Sequence, residues 1–318
     1  MYKVVFLDQE TIPEHIQFRQ LDFPHTWTSY PSTSLEQMDE RLQSADIVIT
    51  NKVVLDASIL AKHPSIKLIA VSATGTNNVG LDYCKQNGIG VCNVQGYATR
   101  SVPEHVIAML FALRRNLFAY HQDIQKGVWQ EKKQFCFFTH PISDIAGSTL
   151  AVVGSGSLGQ SVAKLGGAIG MQVIFAERKG TTDVRDGYVS FEEALKRADV
   201  LTLHCPLNEE TTNLIGSKEL KMMKASSVLI NTGRGGLVEE SELVEALKKG
   251  EIAGAGFDVF TQEPADESNP LIANAHLPNL LLTPHVAWGS DSAIQSLVNI
   301  LLDNIESFVA GGDNNRLV

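Results

Sequence analysis

The stretch AVVGSGSLGQSVAKL, residues 151–165, carries Gly154, Gly156 and Gly159 in G-x-G-x-x-G spacing. An apolar run leads into it, a helix-like run leaves it, and the next apolar run, QVIFA at 172–176, ends against Glu177. Each glycine has its own physical task in such a strand–turn–helix unit. The first permits a tight turn, the second lets backbone approach a pyrophosphate, and the third lets helix pack close on strand. The helix start, at Ser157 and Leu158, offers free N–H groups and the positive end of a dipole. The spacing predicts a βαβ dinucleotide-binding unit, with Gly154, Gly156, Ser157, Leu158 and Gly159 on the pyrophosphate and Glu177 accepting from ribose hydroxyls. An acid at that strand end repels a 2′-phosphate and favours NAD. Arg178 and Lys179, directly after it, could instead cradle that phosphate, which leaves NADP open.

Outward from this unit, strands and helices alternate from end to end. Strand candidates are 3–7, 46–50, 67–72, 150–154, 172–176, 199–203, 227–231, 254–259 and 279–283, near-continuous apolar runs of the kind buried on both faces of a parallel sheet. SFEEALKRA places Ser190 and Glu193 as a capping box, and SELVEALKKG ends at Gly250, a C-terminal cap glycine. Two longer helices stand out. One opens at SVPEHVIAMLFALRR, with Ser101 as N-cap and Pro103 in its first turn; the other is SDSAIQSLVNILLDNIESFVAGG, whose apolar residues recur with helical period.

The chain has 318 residues, more than one core usually holds, so two domains are expected. A net charge of −10 gives no basic face for nucleic acid. No run approaches a membrane span, and the start MYKVVFLDQE reads as a strand, too short for a signal-peptide core. Cys84, Cys92, Cys136 and Cys205 form no C-x-x-C pair, so no metal site is expected and reduced thiols in a cytoplasmic protein are the simplest reading.

Three chemistry-bearing residues each follow a different strand candidate. In SSVLINTGRGGLVEESEL, residues 226–243, Arg234 sits on a glycine-flanked bend after VLIN. Such a guanidinium at the C-terminal edge of a parallel sheet can grip a carboxylate with two bonds; alternatively it pairs with Glu239 or Glu240. DVFTQEPA puts Glu263 after GAGFDV, and LLTPHVAW puts His285 after NLLLT. A histidine beside a carboxylate is common equipment for proton transfer near neutral pH.

NTGRGGLVEESEL, GAGFDVF with its following EP, and LLTPHVAW resemble the signatures of the D-2-hydroxyacid dehydrogenases, and the resemblance runs over essentially the whole chain. TNKVVLD, VPEHVIAMLFALRRN and FAERKG are most similar to the glycerate dehydrogenase (hydroxypyruvate reductase) branch. The resemblance implies an α/β fold of two Rossmann-like doubly wound parallel-sheet domains with an inter-domain active-site cleft. Residues 1–99 plus 289–318 would form a discontinuous substrate-binding domain and 100–288 an NAD-binding Rossmann domain. It implies that Arg234 contacts the substrate carboxylate and carbonyl, that His285 is the acid/base, and that Glu263 supports it. Thr232, Gly233 and Asp258 would lie around the nicotinamide, and Cys205, Pro206 and Leu207 near the adenine side. Thr74 and Gly75, in SATGTNNVGLD, would present the loop that receives the substrate carboxylate. That loop departs from the family at Asn77 and Gly80, where Asp is more frequent.

The expected activity is reversible, NAD(H)-dependent reduction of a small 2-keto acid to the D-2-hydroxy acid. An NADPH-preferring reductase and an NAD-sensing corepressor-like module stay open on the residues alone. Glu263 argues against formate dehydrogenase chemistry, and the end of the chain after its last helix argues against a regulated phosphoglycerate dehydrogenase. The family expectation is a homodimer, and QFCFFTHPI, 134–142, is apolar enough for either an intersubunit surface or internal packing.

Overall fold

The computed structural model describes residues 1–318, which divide into two compact units, Met1–Ala98 with Gly289–Val318, and Thr99–Trp288. The first unit contains β1 (Tyr2–Phe6), β2 (His25–Ser29), α1 (Leu35–Leu42), β3 (Ile47–Thr50), α2 (Ala57–Leu60), β4 (Leu68–Val71), α3 (Leu81–Asn87) and β5 (Gly90–Cys92). Every strand pair is parallel and the order is β2-β1-β3-β4-β5. All four residues of β3 and of β4 are buried, which is why these segments read as unbroken apolar runs.

The second unit contains α4 (Ser101–Arg114), α5 (Leu117–Gln125), α6 (Val128–Lys132), β6 (Thr149–Val153), α7 (Ser157–Ala168), β7 (Gln172–Ala176), β8 (Tyr188–Val189), α8 (Phe191–Arg197), β9 (Val200–Leu203), α9 (Ser217–Leu220), β10 (Val228–Asn231), α10 (Glu240–Lys249), β11 (Gly254–Phe257), α11 (Pro270–Ala273) and β12 (Leu280–Leu282). Its seven strands, again all parallel, run β12-β11-β10-β9-β6-β7-β8. Both orders are doubly wound, so each sheet has a point where the winding reverses, between β1 and β3 in one and between β6 and β9 in the other. Ligands of open α/β sheets bind beyond the strand ends at such points.

The chain closes with α12 (Asp291–Val309), which returns to the first unit. Its apolar side, including Leu297, Leu301 and Ile305, is fully buried, and Asn304 donates to Asn93 O at 2.9 Å. Arg19 fixes the exposed side through Asp303 at 2.6 Å and Glu306 at 2.5 Å. At β5, a Cβ on Gly90 would lie 2.7 Å from the Phe308 ring, so only glycine lets strand and helix meet so closely.

All nine expected strands form, and three more accompany them: β2, β5 and β8. Two of three helix-end expectations change in detail, and the third, Gly250, holds. Ser101 is the first residue inside α4 rather than its cap, and its hydroxyl donates to Trp288 O at 3.0 Å. Ser190 accepts from Glu193 N as expected, but the reciprocal half of the box is replaced by a Glu193–Arg197 ion pair at 3.7 Å. Gly250 ends α10 in the left-handed conformation, φ 69°. No helix is long and apolar enough to cross a membrane.

Candidate active site

Register fixes which residues share one edge of the seven-stranded sheet. Val153 pairs with Ala176 and Leu203, Leu203 with Asn231, Asn231 with Phe257, and Phe257 with Leu282. The residues that follow these strand ends, Gly154, Glu177, Cys205, Thr232–Arg234, Asp258 and His285, therefore emerge along the same edge.

At the β6 end the backbone turns at Gly154 with φ +97°, a conformation other residues rarely adopt, and a Cβ there would sit 2.6 Å from Cys205 N. A Cβ on Gly159 would fall 1.9 Å from Gly154 O, so strand and helix touch through backbone alone. Gly156, by contrast, faces open space, with nothing within 4 Å of a Cβ. Ser157 and Leu158 begin α7 behind it. The turn is closed at its base and open at its lip, which fits the approach of a pyrophosphate to the N–H groups of the helix start. His204, next to Cys205, is half-buried in this wall, and desolvation there pushes its imidazole down to about 4; desolvation also pushes the Cys205 thiol up. The Pro206 carbonyl accepts from Thr211 Oγ1 at 2.7 Å and shapes the loop that carries Leu207.

Glu177 is 4% exposed and its carboxylate is already gripped. Arg185 Nε donates to Oε2 at 2.5 Å, Arg185 Nη2 to Oε1 at 2.9 Å, and Arg178 N to Oε1 at 2.9 Å. The Arg185 bonds, with the Arg178 amide, hold this carboxyl well below the usual range, at about 2. Lys179 turns away from it to Glu219, 3.0 Å distant. Of the two cations weighed for a 2′-phosphate, only Arg178 keeps its side chain out of an ion pair.

Arg234 owes its position to Asn231. The Asn231 side chain accepts from Gly233 N at 3.1 Å and donates to Arg234 O at 2.9 Å, a side-chain clamp that curls the backbone just past β10. The alternative ion pair does not form. Glu239 caps α10 through Glu242 N at 2.6 Å, and Glu240 is engaged by Thr261 N at 2.7 Å and Asn269 Nδ2 at 2.6 Å. The guanidinium of Arg234 bonds only to Gly233 O, at 2.7 Å, and keeps the remaining donors of its fork. Thr232, 8% exposed, has a buried hydroxyl oxygen with no partner. An orphaned buried hydroxyl beside an open edge fits a residue that completes its hydrogen bonding with a bound ligand.

Glu263 and His285 meet. Nδ1 of His285 lies 2.6 Å from Glu263 Oε2, while Glu263 Oε1 accepts from Phe260 N at 3.0 Å. The Phe260 carbonyl packs against Gly235, where a Cβ would be 1.8 Å away, so the arginine turn and the glutamate loop lie side by side. A carboxylate acceptor at Nδ1 requires the proton on that nitrogen, which leaves Nε2 as the atom that takes up or releases a proton. His285 itself has φ +55°, a left-handed backbone that costs a non-glycine residue on the order of 1 kcal/mol or more.

Asp258 explains how that conformation is held. The carboxylate is 1% exposed and accepts from Thr283 Oγ1 at 2.5 Å, Val286 N at 2.9 Å and Ala287 N at 2.9 Å. It brackets the histidine on both sides in sequence. His105, from α4, adds a bond from Nε2 to Thr283 Oγ1 at 3.0 Å. Sequence reasoning placed Asp258 at the cofactor, and these bonds also make it an anchor of the His285 segment. It missed His105, Asn231 and Arg185. His105 lay in plain view in the VPEHVIAMLFALRRN stretch, on a helix whose neighbouring residues are core.

In the first unit, the Thr74 hydroxyl is taken up by Val94 O at 2.7 Å, and the Thr74 carbonyl accepts from Asn93 Nδ2 at 2.7 Å. These bonds pin the loop that runs on through Gly75 and leave no spare proton on the Thr74 hydroxyl.

Residues 107–287 match the family model described as D-isomer specific 2-hydroxyacid dehydrogenase, NAD binding domain. A Haemophilus influenzae protein named as a 2-hydroxyacid dehydrogenase is 51% identical, over 96% of this chain and 98% of its own length. The glycerate dehydrogenase of Methylorubrum extorquens is 49% identical, over 98% of both chains. The solved structure of D-lactate dehydrogenase from Aquifex aeolicus, complexed with NAD and lactic acid, superposes with a TM-score of 0.82 at 27% identity and covers 99% of each chain. The open glycine turn, the orphaned Thr232 hydroxyl and the edge that carries Arg234, Glu263 and His285 are thus found in an NAD-binding oxidoreductase: the chain belongs to the D-isomer specific 2-hydroxyacid dehydrogenase family.

Proposed function

We propose that the protein reduces a small 2-keto acid of the hydroxypyruvate or glyoxylate type to the D-2-hydroxy acid with NADH, and catalyses the reverse oxidation. The observation that carries this reading is the 2.6 Å pair between Glu263 and His285 beside an arginine with no carboxylate partner. When bound, the dinucleotide supplies the hydride for the carbonyl carbon. His285 Nε2 gives its proton to the carbonyl oxygen, and in the reverse direction takes the hydroxyl proton. Glu263 holds the opposite ring nitrogen, so the imidazole keeps one tautomer and one orientation. Arg234 binds the substrate carboxylate and carbonyl with its planar fork. With the Thr74 hydroxyl committed, Thr74 and Gly75 contribute backbone N–H groups to the carboxylate. Gly154, Gly156, Ser157, Leu158 and Gly159 cradle the pyrophosphate, Cys205 and Pro206 flank the adenine side, and Thr232 with Gly233 borders the nicotinamide.

The substrate class is supported by relatives named glycerate dehydrogenase, 49% identical, and hydroxypyruvate reductase, 32% identical. The assembly we propose is a homodimer. Phe135 at 95% exposure and Phe138 at 78%, with Leu117 and Phe118 nearby in sequence, are more apolar surface than a monomer usually leaves to water. The four cysteines are free thiols, which supports a reducing, cytoplasmic setting.

The test is a panel of 2-keto acids with NADH, run on the wild type and Glu263→Gln. Hydroxypyruvate or glyoxylate should give the highest kcat/KM. Glu263→Gln should lower kcat by about a hundredfold or more while the Kd for NADH stays put. A wild type that reduces no 2-keto acid sinks the proposal, and an undiminished kcat in Glu263→Gln removes the pair from the mechanism.

A further inference from the structure

Most of what surrounds Glu177 is set by one residue that belongs to no motif. Arg185 lies on the loop between β7 and β8, eight positions beyond Glu177. It lays its guanidinium over the Tyr188 ring, 4.0 Å from the centroid, and Tyr188 in turn leans on Phe175 of β7 at 5.6 Å. From that platform it bonds both oxygens of Glu177, through Nε at 2.5 Å and Nη2 at 2.9 Å. Oε1 therefore accepts twice, from Arg185 and from the Arg178 amide, and Oε2 once. The Arg185 amide also acts on this carboxylate, so Glu177 is held largely by its own loop. Arg185 Nη1 makes no bond and the Arg185 side chain is 57% exposed.

The charge balance at this strand end is thus unlike that of an isolated acid. Glu177 is matched by Arg185, and Arg178 adds a cation without an ion pair. Lys179 is spent on Glu219, and Asp183 and Asp186, on the same loop as Arg185, form no ion pair with it.

We propose that Arg185 is the specificity-determining residue of the dinucleotide site. By clamping Glu177 it removes the repulsion that an acid at this position would exert on a 2′-phosphate, and it presents a free Nη1 to that phosphate, so the site accepts NADPH as well as NADH. The inference rests on the proposed dinucleotide-dependent reaction and adds the cofactor range of the same site. It acts through charge: a carboxylate with its counter-ion removed would face the phosphate alone, and like charges at close range oppose binding strongly.

Equilibrium titration of the purified protein by reduced-nicotinamide fluorescence tests this without turnover. Wild type should bind NADH and NADPH with Kd values within about tenfold of each other. Arg185→Gln should weaken NADPH by about tenfold or more relative to NADH, Arg185→Lys should retain most of the NADPH affinity, and Arg185→Gln with Glu177→Gln, which relieves the repulsion but still lacks Nη1, should recover part of it. Recovery in the double variant separates relief of repulsion from simple loss of loop structure. A ratio of the two Kd values that is unchanged in Arg185→Gln overturns the inference while the proposed reaction stands, and so does a double variant that fails to recover NADPH. A wild type that binds neither dinucleotide overturns the proposed reaction itself.

Discussion

The two sheets handle the point where their winding reverses in opposite ways. In the five-stranded sheet, Asp8 follows β1 and its carboxylate reaches across to the loop after β3. There it accepts from Asn51 N at 2.9 and 3.0 Å, Lys52 N at 2.6 Å and Val53 N at 3.2 Å. Asp8 is 4% exposed, so the crevice is filled by an anion the chain carries itself. In the seven-stranded sheet the turn after β6 starts at Gly154, and the loop after β9 presses against it so tightly that a Cβ would lie 2.6 Å from Cys205 N. Gly156 at the lip faces open space. A parallel sheet collects N–H groups at this place whatever its sequence. An aspartate there makes a structural joint; glycine there leaves the N–H groups for a ligand.

The strongest way to break the contrast is to close the open side. Gly159→Ala puts a Cβ where Gly154 O stands 1.9 Å away, a contact with backbone that no rotamer can relieve. The turn must open and the cradle must change shape. NADH affinity should fall roughly a thousandfold, about 4 kcal/mol, read by fluorescence titration. A Kd within threefold of wild type would show that the glycine turn is not where the dinucleotide sits.

The contrast also marks what could be read without coordinates. Gly154, Gly156 and Gly159 were legible because their spacing and the flanking apolar runs are local. Arg234, Glu263 and His285 were legible because each follows a buried strand that writes itself as an apolar run. Asp8 was not, since its partners lie more than forty residues away at Asn51, Lys52 and Val53. The freedom of Arg234 depends on Glu240 being occupied by Asn269, and the state of Glu177 on Arg185; both are pairings across loops with no periodic signal. β2, HTWTS, has no buried residue, and β8 is two residues long, so neither carries the apolar run that revealed the other strands. Asp258 was legible as the residue that ends the β11 run, but its hold on the His285 segment was not, because only the fold shows that its carboxylate faces Val286 N and Ala287 N.

Breaking the closed side should cost stability and leave binding alone. Asp8→Asn keeps one acceptor oxygen and turns an NH2 group toward amide donors that had an anion. Charge-assisted bonds are lost and at least one buried N–H is left unpaired, for about 2–3 kcal/mol in all. Urea denaturation should show that loss, and the Kd for NADH should stay within about twofold, since the glycine turn belongs to the other sheet. A weakened Kd with an unchanged denaturation midpoint would reverse the roles assigned to the two crevices.

The smallest effect concerns the wall of the open side. His204 follows β9, shares a 2.9 Å hydrogen bond with Thr202 Oγ1, and is pushed from its ordinary 6.5 to about 4 by burial. The folded protein therefore holds it neutral over a range where the unfolded chain binds a proton. Stability from this group is fully present above about pH 6.5 and is lost as pH falls toward about 4. Between pH 7 and pH 5 the loss should be about 1–2 kcal/mol. Paired carboxylates such as Asp199 and Glu306 are held below their ordinary values, so their contribution is lost at more acid pH and does not overlap this window. His204→Gln keeps a hydrogen-bonding group beside Thr202 and removes the titration. Denaturation midpoints at pH 7 and pH 5 should differ less in His204→Gln than in wild type by that amount. Equal pH dependence in the two proteins would mean that the ring stays hydrated, and that the wall beside Gly154 is wetter than its packing against Cys205 N implies.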